Sequence, residues 1–227
     1  IIPSFVFKFC AKDLLIDNNS SINTYIMNFL SIDCSTDAGS LFLKIKNKTF
    51  NKVLQSHKAN NDLLMKQILD FFAEHNLEIS DISKIFVNQG PGNFSGLRGS
   101  LSVAKGISLS KNLELFGYNT FIWSCVKFYN KENNINSLIK FREKNFIKNF
   151  DKDLQSSSKI KEVTEEEILQ KYENKLKIIP SNMVQHFSDK ILKLKNLNIV
   201  DLDHNELEFL QLKGLLNEEL IKPLYLS

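Results

Sequence analysis

Glycine is concentrated in one short stretch of this 227-residue chain, because five of its eight glycines lie between Gly90 and Gly106. The apolar run Ile85–Val87 comes shortly before that stretch, and a helix-like pattern follows it. A strand, a glycine-rich turn and a helix form the layout of phosphate-binding loops, since a helix N-terminus offers free N–H groups to anions. The Walker pattern does not fit, because no lysine follows Gly96. A tight turn that merely seats a helix is the competing interpretation.

The helix predicted at 95–111 has one face that is almost bare of side chains. That face carries Gly99, Ser102, Val103, Gly106 and Ser110. The opposite face carries Leu97, Leu101 and Ala104, which can enter a core. Glycine inside a helix costs about 1 kcal/mol relative to alanine, and close approach of another backbone is the usual compensation. The pattern therefore predicts a helix that packs on two sides.

The glycine-rich stretch resembles the GPGSFTGLR-x-G-L-x-x-A-K-G signature of the TsaB (YeaZ) family, bacterial proteins of threonylcarbamoyladenosine tRNA modification. Three other segments are similar to the same family. Residues 28–40 resemble its opening strand and D-x-S-T turn, residues 56–82 its first helix and the turn after it, and residues 222–226 its terminal P-x-Y-L. The similarity covers about residues 27–118 and the last few residues, and the region between them matches only in general layout.

The order of the predicted elements agrees with this resemblance. From residue 28 onward the pattern predicts three strands, a helix at 61–75, a strand at 85–87, the small-residue helix and a strand at 113–118. The second half repeats that order loosely. Its strands are predicted at 138–141, 146–150, 159–163, 175–179 and 197–200, and its helices at 165–172, 183–195 and 206–216.

The order βββαβα, followed by a further strand, is one half of the actin-like, sugar-kinase-like ATPase fold, which is ribonuclease H-like. We therefore predict an α/β protein of two pseudo-duplicated βββαβα halves. The N-terminal half is expected at 27–122 and a diverged C-terminal half at 123–227, with the last helix packing back on the N-terminal half. Residues 1–26 are expected to be an extension that is disordered or not native.

Composition limits the range of partners. Hydrophobic residues make up 43% of the chain, and no run approaches the roughly 18 apolar residues of a membrane span. The net charge is +3 and only Arg98 and Arg142 are arginines among the 29 basic residues, so stand-alone recognition of nucleic acid is not predicted. Three scattered cysteines without metal-ligand spacing are typical of a reducing compartment. We expect a cytoplasmic protein that does not bind membranes.

The helix at 61–75 has an apolar face wider than a core-facing helix needs. Either this face is buried in the chain's own fold, or it forms an exposed surface together with the small-faced helix. In the TsaB family these two helices build a four-helix interface with the catalytic subunit TsaD or with another copy of TsaB. The resemblance thus assigns partner binding to His57, Leu64, Ile68, Phe71, Phe72, Gly96, Leu97, Arg98, Gly99, Ser102, Val103 and Gly106.

No catalytic site is expected. Asp33, Ser35 and Thr36 are candidates for the first phosphate loop of an actin-like ATPase. After Gly106 the chain holds too few glycines for a second phosphate loop and an adenosine pocket, so we interpret the first loop as vestigial. The H-x-x-x-H metal pair of TsaD is broken as well, because Asn61 stands four residues after His57. No metal site and no cofactor of its own are expected, since ATP and metal would belong to partner subunits.

The resemblance implies a non-catalytic scaffold subunit. Such a subunit would bind TsaD and, through that pair, the ATPase TsaE, and would support threonylcarbamoyl transfer to adenosine 37 of tRNA. It would meet tRNA only within the complex, and a homodimer of the isolated chain is compatible with the sequence. The alternative is a free-standing actin-fold kinase or ATPase with a diverged nucleotide pocket. The second phosphate loop discriminates between the two functions.

Overall fold

The computed structural model describes residues 27–36, 39–54, 63–218 and 221–226. The predicted extension at 1–26 and the candidate residue His57 lie outside these ranges. None of the described helices combines the length and the apolar character that crossing a membrane requires.

The N-terminal half is built on a five-stranded sheet with the strand order β3-β2-β1-β4-β5. Its central strand, β1, pairs antiparallel with β2 and parallel with β4. Helix α1 (Leu64–Glu74) precedes β4, and helix α2 (Phe94–Lys111) connects β4 to β5. The strands are β1 (Phe29–Asp33), β2 (Ser40–Ile45), β3 (Lys48–Val53), β4 (Lys84–Asn88) and β5 (Glu114–Tyr118).

The C-terminal half, reached through the short helix α3 (Thr120–Trp123), repeats this plan. Its sheet has the order β8-β7-β6-β9-β10, again with one antiparallel and one parallel neighbour beside the central strand. The strands are β6 (Ile135–Phe141), β7 (Lys144–Phe150), β8 (Lys161–Val163), β9 (Lys177–Pro180) and β10 (Leu197–Val200). The helices are α4 (Glu165–Lys171), α5 (Asp189–Leu192) and α6 (Glu206–Leu212). The predicted α/β fold of two duplicated halves is therefore confirmed.

Two helices of the C-terminal half differ from the prediction. The single helix expected at 183–195 is a 3₁₀ segment, Ser181–His186, followed by the short α5, because Ser188 adopts extended backbone and caps a new helix by accepting from Ile191 N–H. The closing helix ends at Leu212 rather than near residue 216. Gly214 stands just after it at φ +66°, the left-handed conformation that terminates helices.

The two faces of the first sheet pack on different partners. Side chains alternate along a strand, so Leu30 and Ile32 face α1 and α2, whereas Phe29 faces the other way. On that second face the sheet shares one apolar core with the C-terminal half and with Leu207 and Leu210 of α6. Helix α6 also forms an ion pair to the N-terminal half, between Glu208 and Lys44.

Gln89, directly after β4, ties the last part of the chain to the centre of the first sheet. Its carbonyl oxygen accepts from Leu224 N–H at 2.6 Å, and its side-chain amide donates to the Lys222 carbonyl at 2.8 Å. Its side-chain oxygen accepts from the amide of Asn217 at 2.6 Å. Asn217 in turn forms a two-way backbone pair with Gly117 of β5. The segment that contains the P-x-Y-L motif therefore lies beside the glycine-rich loop.

Candidate functional site

The glycine-rich loop after β4 lies directly against the turn after β1. A Cβ on Gly92 would overlap the Ser35 carbonyl group, and one on Gly96 would overlap the Cys34 carbonyl oxygen. The Asn93 N–H donates to the Ser35 carbonyl at 3.0 Å, and the Asn93 side chain caps α2. Gly92 and Gly96 thus allow two backbones of the same chain to touch. The interpretation of the loop as a turn that seats a helix agrees with this geometry.

The candidate phosphate loop is engaged in bonds within the chain. The Asp33 carboxylate accepts from the Ser35 N–H at 2.8 Å, which closes a turn of the kind that aspartate forms with its own backbone. The Ser35 hydroxyl is buried and accepts from Asn88 at 3.3 Å. Thr36 lines the cleft between the two halves, together with Asp33. The arrangement leaves Ser35 turned away from any ligand in that cleft.

The cleft between the halves has a volume of about 240 Å³ and is lined mostly by polar residues from both halves, among them His204 and Asp201. The imidazole of His204 stacks on Phe42 at 5.1 Å between ring centroids and lies 4.8 Å from the Trp123 ring. Burial lowers the His204 pKa to about 4, although the Asp33 and Asp203 carboxylates oppose the shift. His204 is therefore neutral at pH 7.

A short hydrogen-bond chain joins Tyr118, Ser31 and His204. Burial raises the pKa of Tyr118 well above its usual value, so its hydroxyl keeps its proton. The Tyr118 hydroxyl lies 3.3 Å from the Ser31 hydroxyl, which in turn lies 3.0 Å from His204 Nδ1. Donation from Tyr118 to Ser31 and from Ser31 to Nδ1 would leave the histidine proton on Nε2.

Thiol and metal chemistry find little support in these residues. Burial and the neighbouring Asp33 carboxylate raise the pKa of Cys34 to about 12, and burial raises that of Cys125 to about 12. Both are therefore poor nucleophiles at neutral pH. Within the parts of the chain that the structure describes, no group of three or more His, Cys, Asp or Glu side chains is placed to hold a metal ion.

Helices α1 and α2 are neighbours on one face of the first sheet, and each has a buried stripe. The α1 side chains assigned to partner binding are buried in the chain's own core: Leu64, Ile68, Phe71 and Phe72. The sequence left open whether this apolar face is buried in the chain's own fold or exposed as a surface, and these four side chains are buried in the fold. Leu69 and Ala73 extend the apolar surface outward, and Leu69 is 48% exposed.

Helix α2 buries Leu97, another residue assigned to the partner surface, together with Leu101 and Ala104. Its other assigned residues lie at or near the surface: Gly96, Arg98, Gly99, Ser102, Val103 and Gly106. A Cβ on Gly106 would meet no described atom within 4 Å. We call the outer residues of the pair the two-helix face, which comprises Leu69, Ala73, Gly99, Ser102, Val103, Gly106 and Leu109.

Comparison of the chain with known proteins identifies its family. A family model described as TsaD, tRNA N6-adenosine threonylcarbamoyltransferase, matches residues 53–194, more than half of the chain. A relative from Buchnera aphidicola subsp. Baizongia pistaciae, named tRNA threonylcarbamoyladenosine biosynthesis protein TsaB, is 32% identical over 88 residues, which are 39% of this chain and 40% of the relative. A relative of the same name from B. aphidicola subsp. Schizaphis graminum is 26% identical over 102 residues, 45% of this chain and 49% of the relative. The matched stretches span less than half of these relatives.

Two solved structures share the architecture. One is YeaZ from Pseudomonas aeruginosa, with a TM-score of 0.63 at 17% identity. The other is an uncharacterized protein with similarity to peptidase YEAZ from P. aeruginosa, with a TM-score of 0.66 at 16% identity. Both superpositions cover 88% of this chain and 100% of the other. The chain belongs to the TsaB (YeaZ) family.

Two sets of contacts in this TsaB-family chain could not be predicted from the sequence. The hydrogen-bond chain of Tyr118, Ser31 and His204 joins residues from three distant segments, and no pattern in the sequence predicts that they meet. The contact between Gln89 and the P-x-Y-L segment joins two family motifs that are 133 residues apart. Each motif resembles the family separately, but their proximity requires the fold.

Substitutions of Gly92 in the loop and of Gly106 inside α2 form a matched pair that tests the role given to Gly92. Gly92→Ala is expected to lower the free energy of unfolding by about 2–3 kcal/mol or more, because its Cβ would overlap backbone at Ser35. Gly106→Ala, in open space inside a helix, is expected to raise it by about 0.5–1 kcal/mol. Urea denaturation measures both. Equal effects of the two substitutions would contradict the role given to Gly92.

His204 is expected to make stability depend on pH. The unfolded histidine takes up a proton near pH 6.5, whereas the folded one does so only near pH 4. The unfolded state thus binds more protons between these values, so stability present above pH 6.5 is lost as the pH falls toward 4, by roughly 2–3 kcal/mol. His204→Gln should remove this part of the slope in denaturation curves across the range. The exposed His186→Gln is the control, and a slope unchanged by His204→Gln would refute the assignment.

Proposed function

We propose that this chain is a non-catalytic scaffold subunit of tRNA N6-threonylcarbamoyladenosine biosynthesis. The names of its relatives support the pathway, and its family membership supports a complex with a TsaD-type catalytic subunit. Through that pair it would act with a TsaE homologue, and it would meet tRNA only within the assembly. In this proposal the chain carries no cofactor of its own and works in the cytoplasm, and a homodimer through the same surface is the state expected without a partner.

The two-helix face is the observation that carries the proposal. Leu69 is 48% exposed and Leu109 is 85% exposed, so apolar side chains stand in water on both helices. Between them the surface of α2 is lined by small residues, and no atom of the described residues lies within 4 Å of where a Cβ on Gly106 would stand. Small residues let a partner helix approach closely, and apolar side chains at the rim add buried area. The face therefore suits a partner that also presents helices.

The geometry of the two hairpins supports a scaffold rather than an ATPase. In the duplicated plan the β6–β7 turn corresponds to the β1–β2 turn, the place where the two phosphate loops of an actin-like ATPase stand. The β6–β7 turn consists of Arg142 and Glu143 at φ +48° and +62°, with no glycine between the strands. Two side-chain-bearing residues in a tight turn give a triphosphate little access to backbone amides. On the other side, Asp33 and Ser35 are bonded to their own chain.

Substitutions at two adjacent residues of α1 distinguish the proposed partner surface from the core. Leu69→Asp is expected to keep the fold and to weaken binding to the TsaD homologue of the same genome about ten- to a hundredfold, because Leu69 is exposed on the two-helix face. Gly106→Leu should act in the same way, since its side chain would occupy the open space. Ile68→Asp should unfold the chain instead, because Ile68 is fully buried. Circular dichroism and titration calorimetry measure the two properties.

The proposed interface is wrong if folded Leu69→Asp and Gly106→Leu both bind the TsaD homologue as tightly as the unaltered chain. If the unaltered chain does not bind that homologue at all, the scaffold function itself fails.

ATP turnover distinguishes the scaffold from the alternative kinase or ATPase. We expect the isolated chain neither to bind ATP in calorimetry nor to hydrolyse it above background, since the phosphate-loop candidates are engaged internally. Turnover that disappears in Asp33→Ala would establish the alternative and would remove the main support for a non-catalytic subunit.

A further inference from the structure

The exposed Arg98 of α2 contacts two aromatic side chains, Phe94 and Tyr225. It lies one turn after Phe94 on α2, and its guanidinium carbon stands 3.9 Å from the centre of the Phe94 ring. Its Nε donates to the Tyr225 hydroxyl at 2.9 Å. The Phe94 and Tyr225 rings stack on each other with centroids 5.2 Å apart. Two distant parts of the chain thus hold one guanidinium in place.

The segment that carries Tyr225 is fixed by hydrogen bonds to Gln89. Leu224, directly before Tyr225, donates its N–H to the Gln89 carbonyl, and Lys222 accepts from the Gln89 side chain. Gln89 follows β4, an interior strand of the first sheet, so these bonds tie the segment next to Tyr225 to the core. A side chain held in this way loses less conformational entropy when it binds.

The guanidinium still has donors to offer. Its Nε is used by Tyr225, but across the described ranges its two terminal nitrogens have no hydrogen-bond or ion-pair partner. Phe94 is 44% exposed and Tyr225 is 47% exposed, so two aromatic rings border the free end of the arginine. Arginine and aromatic residues are enriched among those that contribute most of the binding free energy at protein interfaces. The terminal nitrogens of an arginine match the two oxygens of a carboxylate.

We propose that Arg98, held between Phe94 and Tyr225, is a preformed anchor for a carboxylate side chain of the protein partner. The inference rests on the proposed function, because it names a residue-level contact with the TsaD-type subunit beside the two-helix face. A phosphate of RNA would also match the guanidinium, but a nucleic-acid surface needs several cations along its path. The exposed α2 residues within one turn of Arg98 are Phe94, Ser95 and Ser102, and the nearest cation on that face of the helix is Lys105, two turns away. No second cation of α2 stands directly beside Arg98, so an acidic side chain of a partner is the better complement.

The other arginine of the chain is a matched control. Arg142 is also exposed and also lies over a phenylalanine, with its guanidinium carbon 5.3 Å from the Phe141 ring centre. It stands in the β6–β7 turn of the other half, and no hydrogen bond to a tyrosine holds it in the described residues. Arg142→Lys therefore repeats the chemical change of Arg98→Lys away from the anchor.

Calorimetric titration with the TsaD homologue of the same genome tests the anchor. Arg98→Lys keeps the charge but loses the planar fork, and it is expected to weaken binding about tenfold or more. Tyr225→Phe keeps the ring stack and removes the hydroxyl that orients Nε, so about a threefold loss is expected. Arg142→Lys should leave the affinity unchanged within twofold. Circular dichroism should show all three variants folded, since the altered side chains are exposed.

Arg98→Lys that binds as tightly as the unaltered chain would overturn the anchor and leave the scaffold function standing. Loss of tRNA binding by the assembled complex, with unchanged affinity for the TsaD homologue, would overturn it in favour of a phosphate contact. Absence of any binding by the unaltered chain would refute the proposed function and the anchor together.

Discussion

The backbone contact between the glycine-rich loop and the turn after β1 governs the arrangement of the N-terminal half. Because Gly92 and Gly96 have no side chains, the start of α2 can lie directly on the Cys34–Ser35 backbone. That contact determines where α2 begins, and Asn93 then caps the helix there. The direction of α2 decides which of its residues enter the core and which remain on the two-helix face. The partner surface that we propose therefore depends on a contact that lies wholly within the chain.

The same contact explains how a fold known for binding nucleotides can serve another role. Carboxyl ends of parallel strands are the usual place for a ligand in an α/β protein. Here the turn after β1 faces the chain's own glycine-rich loop, and one carboxylate oxygen of Asp33 accepts a hydrogen bond within that turn. The cleft between the halves keeps polar walls, but His204 fills part of it between Phe42 and Trp123. The duplicated architecture is retained, while the recognition surface that we propose lies on the outer helices.

Much of the fold could be predicted from local patterns, and the remainder depended on contacts across the chain. The duplicated strand order followed from alternating apolar runs and from the resemblance. The spacing of Ile68 and Phe72 predicted a helix, but the same spacing fits burial in the fold and burial by a partner, so only packing could decide. The start of β6 was missed because buried Asn136 and Ser137 look like loop residues until their partners, Leu176 and Ser124, are known. The assignment of α2 residues and Arg98 to partner binding stays a prediction, and the sequence did not indicate that Phe94 and Tyr225 contact Arg98.

The bonds from Gln89 to Lys222 and Leu224 have a consequence for how the chain folds. They close a loop of 133 residues that contains the entire C-terminal half. Closing so long a loop costs conformational entropy that is recovered only when the structure within it has formed. The N-terminal half is therefore expected to reach its final form only together with the C-terminal half, which contributes no residue to the two-helix face. Although each half has its own sheet, the two are expected to fold as one cooperative unit.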